Sequence, residues 1–186
     1  MVGDGLGTLM DDSSSISEIS DCTFSRCVTG HNDNGTLVLT AHGYHNGGNH
    51  ANGDGGALSL LFTAIVIVDS HFVGCRAADY GGAIYGRNSV LHLVRVSLDS
   101  CQALWKGGGV ALVVDDEITS SIPESRAINA TIDSCVAGTL GANGIVIAAG
   151  TTVYGSIRTP CGGGVHLQKT NLSARGTTVA RCQAGT

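Results

Sequence analysis

The side chains able to ligate, attack or exchange protons are seven cysteines, seven histidines and fifteen carboxylates, and their spacing sorts them. His42, His45 and His50 crowd into "HGYHNGGNH". Three imidazoles make a zinc-type site only when surrounding contacts hold them rigid. A glycine-rich stretch supplies no such rigidity, so a polar surface loop is expected there, with no metal and no cofactor. Asp99 and Asp133 each stand two residues before a cysteine, Cys101 and Cys135. Two carboxylates on neighbouring repeats would suit acid–base hydrolysis of a glycosidic bond, or calcium binding. No lysine or arginine cluster accompanies them, and no catalytic residue is assigned. Asp69 and Arg95 read as a surface ion pair of little energetic value.

Three N-x-[S/T] sequons, at Asn34, Asn129 and Asn171, are glycosylation candidates in a secreted chain. Together with the cysteine content they point to an extracellular or cell-surface setting. Cys135 and Cys161 flank a long insertion, and a disulfide between them would staple its base. The alternative is two unpaired thiols. Seven cysteines cannot all pair within one chain.

Composition narrows the field. Charged residues make up 13% of the chain, the net charge is −5, and no basic run or basic–aromatic alternation exists. Nucleic-acid binding is therefore not expected. The longest apolar run, "ALSLLFTAIVIV", has twelve residues, too few to span a bilayer, and reads as buried strand. The amino terminus shows no basic and apolar segments of the signal-peptide kind.

The elements that position these side chains follow from a period. The glycine pairs Gly55-Gly56, Gly81-Gly82 and Gly107-Gly108 step by 26 residues, as do Cys75 and Cys101. Five units emerge, at 7–27, 55–75, 81–101, 107–135 and 162–182. In four of them the cysteine lies 20 residues after the first glycine position; in the fourth it lies 28 after, the excess falling in "DDEITSSIPESR". An apolar residue precedes each cysteine by three: Phe24, Phe72, Leu98, Ile132 and Val179. The segments between are β-branched and bounded by turn residues, which excludes helices.

A 26-residue unit of short strands matches one rung of a parallel β-helix, with equivalent residues stacked in columns about 4.8 Å apart. The apolar and cysteine columns must face inward. The column between them, Thr23, His71, Ser97, Thr131 and Thr178, must face out. The glycine pair serves a tight corner. Insertions at 30–53 and 138–160 leave the coil at one corner, the second reading as a hairpin or an extra pair of strands.

"GGAL" at 55–58, "GGAI" at 81–84 and "FVGC" at 72–75 resemble the polymorphic outer membrane protein repeat, which combines GGA-[I/L/V] with F-x-x-N. That resemblance implies a right-handed parallel β-helix, and a surface adhesin or one of the very large cell-surface proteins of algae and other protists. Cysteine stands here where the family has asparagine, so a thiol column replaces an asparagine ladder. The resemblance says little about the ligand, because one fold hosts many functions.

The expectation is one all-β domain over 1–186, a fragment of a larger protein, with further coils or neighbouring subunits at both ends. Its expected role is structural or adhesive, on a cell surface, cell wall or filamentous, even flagellar, appendage. The alternative is a polysaccharide lyase or glycoside hydrolase. The six-residue turns "RAADYG" and "QALWKG" place Tyr80, Trp105 and Lys106 beside the insertions as a contact surface for a glycan or surface protein. The plain reading is that both aromatics only cover the core's corner.

Overall fold

The computed structural model describes residues 16–29, 53–118, 124–138 and 162–184. Among these residues every regular element is a strand and none is a helix. The first repeat contributes β1 (Ser17–Ser20), β2 (Thr23–Ser25) and β3 (Val28–Thr29). The second carries β4 (Leu58–Leu61), β5 (Ala64–Val68), β6 (His71–Val73) and β7 (Arg76–Ala77). The third carries β8 (Ile84–Arg87), β9 (Val90–Val94), β10 (Ser97–Asp99) and β11 (Gln102–Ala103). The fourth has β12 (Val110–Val113), β13 (Ser125–Ile128), β14 (Thr131–Asp133) and β15 (Val136–Ala137). The last has β16 (Val165–Gln168), β17 (Leu172–Arg175), β18 (Thr178–Ala180) and β19 (Gln183–Ala184).

Each strand pairs in parallel with its equivalent in the next repeat. Four sheets result, ordered β1-β5-β9-β13-β17, β18-β14-β10-β6-β2, β19-β15-β11-β7-β3 and β16-β12-β8-β4. The register joins Phe24, Phe72, Leu98, Ile132 and Val179 in one column. Thr23, His71, Ser97, Thr131 and Thr178 form the next, and it faces outward. The topology is all-β, regularly stacked and solenoid-like. The long excess in the fourth repeat lies between β12 and β13, so β10 and β14 pair undisturbed.

Strands of two to five residues require frequent turns, and the backbone makes them with single left-handed residues. Three corners use non-glycine residues: Phe62, Asn88 and Lys169 at one; Asp21, Asp69, Arg95 and Asn129 at the next; Arg26, Ser100, Ser134 and Arg181 at the third. Left-handed geometry is costly for such residues. The amide N–H of each of several corner residues donates to a carbonyl one rung on, as Asp69 does to Val94 (3.0 Å) and Ser100 to Asp133 (3.0 Å). Inter-rung pairing thus holds the turn.

The fourth corner needs glycine twice, for two reasons. Gly81 has φ 64°. A Cβ on Gly82 would collide with the carbonyl oxygen of Gly108, in the next rung, and lie 2.5 Å from the backbone nitrogen of Gln102. One glycine supplies the dihedral, the other the close approach.

The interior is one apolar cluster that includes Ile67, Phe72, Ile84, Leu91, Leu93, Leu98, Leu112, Ile132 and the central cysteines. Phe24 and Phe72 stack face to face, centroids 4.7 Å apart and planes 6° apart, at about one strand spacing. The two insertions depart after β3 and β15, which lie three strands apart in one sheet, as expected.

Candidate functional site

The turn between the last strand of one repeat and the glycine pair of the next carries the expected contact residues. Tyr80 and Trp105 do not share a column. Tyr80 bridges in parallel to Lys106, whose Nζ lies 5.7 Å from the Tyr80 ring centroid. Trp105 is level with Asp79, to whose carbonyl its N–H donates (3.0 Å). The indole packs with Val28 against Ala78 and Leu104, so its described contacts are those of a corner cover.

The rest of this corner does not follow from the expected contact residues. Asp54 precedes Gly55, is 3% exposed, and accepts the Tyr80 N–H on Oδ1 (3.2 Å). Its Oδ2 is buried without a hydrogen-bond partner among the described residues. Burial first, then the nearby Asp79 carboxylate, push the Asp54 carboxyl up to about 8. Tyr85 sits across the glycine corner, its ring 5.8 Å from that of Tyr80 and tilted by 33°. Burial and then Asp54 push its phenol upward.

Beyond it Arg87 holds Asp115 through Nε (2.9 and 3.0 Å). Asn88 clamps the same residue, donating to Asp115 Oδ2 (2.7 Å) and accepting its backbone N–H (2.9 Å). His166 is in register two strands from Tyr85, its pKa lowered by burial and then by Lys106. Aromatic faces edged by carboxyl and ammonium groups suit a polyhydroxylated or peptide ligand. A signal existed: Asp54, Tyr80 and Lys106 all stand immediately before a glycine pair.

The carboxylate pair meets a different fate. Asp99 and Asp133 are register partners on adjacent strands, as expected. No cation cluster accompanies them in sequence, but Arg181 reaches Asp133 with both Nε (2.8 Å) and a terminal nitrogen. That guanidinium keeps the Asp133 carboxyl below its usual range. Asp69 and Arg95 form the expected exposed bidentate pair (2.6 and 2.6 Å).

Asn129 and Asn171 are exposed, Asn129 at a left-handed corner with φ 51°. Asn34, the histidines 42, 45 and 50, Cys161 and nearly all of both insertions lie outside the described residues. Among the described residues no three metal-binding side chains converge.

The cysteine column is the most regular feature. Cys27, Cys75, Cys101, Cys135 and Cys182 are free thiols, the middle three fully buried. Cys135 is thus unpaired within the column, and its expected partner Cys161 lies outside the described residues. Each Sγ lies 3.2–3.9 Å from the carbonyl two residues before it. From Cys75 onward each also lies 3.5–3.8 Å from the carbonyl of the apolar residue one rung back. The adjacent Cys135 and Cys75 thiols, and burial, push Cys101 upward, whereas Cys101 draws Cys75 down to about 6 against its burial. Cys101 has one proton to offer, so the column titrates as a coupled set. Cys22 stands apart, level with Ser70, whose hydroxyl accepts its backbone N–H (3.1 Å).

No family model, curated protein or solved structure matches the chain.

Proposed function

We propose that the chain is a right-handed parallel β-helix module of an extracellular or cell-surface protein, with a structural or adhesive role. The supporting observation is a core column left open. Register equivalents of Val179 are buried in the three preceding repeats, yet Val179 is 54% exposed; Leu167, whose register partner Leu112 is buried, is 39% exposed. Among the described residues, strands β16 to β19 pair on one side only. Unpaired strand edges over an open apolar column are a template for another rung, from the same protein or a neighbouring subunit. The corner of Tyr80, Lys106 and Trp105 is the lateral surface for a glycan or surface protein, and Asn129 and Asn171 are exposed acceptors for glycosylation.

The test is association against concentration. Wild type should assemble, and Val179→Lys should stay monomeric with an unchanged circular dichroism spectrum. Identical monomeric behaviour of both at every concentration would overturn the end-contact reading. The rival reading, a polysaccharide lyase or hydrolase, rests on Asp99 and Asp133, and the Arg181 pairing weighs against it. Incubation with uronate and neutral glycans, with and without calcium, should give no turnover. Turnover that disappears in Asp99→Ala or Asp133→Ala would establish the enzyme instead.

A further inference from the structure

We propose that the buried cysteine column binds soft, two-coordinate cations of the copper(I) and silver(I) class, each ion bridging the sulfurs of adjacent rungs. The column repeats a single geometry. Four of the five thiols make the same two carbonyl contacts, so they share one rotamer and their sulfurs recur at the rung interval. The stacked Phe24 and Phe72 rings measure that interval as 4.7 Å. A linear sulfur–metal–sulfur unit spans about 4.6 Å, twice a metal–thiolate bond of roughly 2.3 Å. The rung interval is close to that span.

Two other uses of the thiols fit poorly. A disulfide needs Cβ atoms about 3.5–4.5 Å apart, closer than equivalent positions on in-register parallel strands. Zinc wants four ligands around a point, and among the described residues not even three converge. A straight file of thiolates selects instead for soft ions content with two ligands. Small residues line the column where the corner approaches it: a Cβ built on Gly109 would lie 3.3 Å from Cys135 Sγ, and one on Gly164 2.9 Å from Cys182 Sγ. Cys27 and Cys182 are half-buried and offer the route in from either end. Each ion enters as M⁺ and forms two metal–sulfur bonds while both S–H protons leave to solvent. No oxidation state changes, and affinity rises with pH.

The experiment uses silver(I) nitrate in chloride-free buffer, and reads silver retained per chain after gel filtration in excess free methionine. Two double variants each lose two thiols. Cys27→Ala with Cys182→Ala leaves Cys75, Cys101 and Cys135 contiguous and should retain silver. Cys75→Ala with Cys135→Ala leaves no two column thiols on adjacent rungs, and retention should fall about tenfold or more. Equal retention by the two variants would overturn the proposal. If the second variant fails to fold, Cys22→Ala with Cys161→Ala decides. Neither residue stands at the column's repeat position in the sequence, so retention should match wild type, and its loss would place the silver elsewhere.

Discussion

At the scale of single residues, what a position tolerates depends on which face of the corner it occupies. Gly82→Ala would drive a Cβ into the Gly108 carbonyl and the Gln102 amide, backbone atoms with nowhere to retreat. The expected loss is about 3 kcal/mol or more in urea unfolding. Gly74 has φ 62° but open space around it, the nearest atom to an added Cβ being Arg26 Cγ at 3.8 Å. The same corner elsewhere carries arginine and serine, so Gly74→Asn should cost under about 1 kcal/mol. Equal losses at the two glycines would refute the assignment. Asp54 makes a second prediction. Its folded pKa is raised to about 8 from 3.8, so the stability it contributes is fully present below about pH 4 and drains away as pH rises towards 8. Asp54→Asn mimics the neutral carboxyl at every pH. Its stability relative to wild type should grow across that interval, by on the order of a few kcal/mol, and then level off. A difference independent of pH would show that Asp54 ionises freely in the fold.

At the scale of elements, the working unit is the column rather than the strand. Strands β2, β6 and β10 have three residues each, too few to persist alone, and they endure because each fills a place in a stack. Phe72 is the keystone of its column, fully buried, with Phe24 stacked on one side and Leu98 in register on the other. Phe72→Ala should cost about 3–5 kcal/mol, the range for emptying a buried aromatic site. Val179→Ala, in the same column but more than half exposed, should cost under about 1 kcal/mol. Chemical denaturation of the two variants checks the contrast. The exposed ion pairs Asp69–Arg95 and Asp133–Arg181 join neighbouring rungs along the surface, where solvent screening leaves them little weight in stability.

At the scale of the whole molecule, stability is nearly a sum of rungs and of the interfaces between them. Strands β9 and β10 have partners on both sides, whereas β17, β18 and β19 have one each. Native-state hydrogen exchange should therefore find the slowest amides around Leu93 and Leu98 and much faster ones around Val179, opening locally rather than with the whole domain. Uniform protection from end to end would mean that the terminal rung is covered. The sequence by itself determined everything that depends on period. With parallel strands in register, residues one repeat apart must be neighbours, whatever the outline of the rung. Hence the apolar column from Phe24 to Val179, the cysteine column, the Asp99–Asp133 adjacency and the Asp69–Arg95 pair were all legible. Only the tertiary structure decided contacts across a rung or on its diagonals. Arg181 reaching Asp133, Tyr85 turning towards Tyr80, and Asp54 buried within the field of Asp79 all depend on how far each corner bends. Three of those corners are turned mostly by ordinary residues held left-handed by inter-rung hydrogen bonds, a conformation that Phe62, Arg95 or Ser100 does not announce by its type.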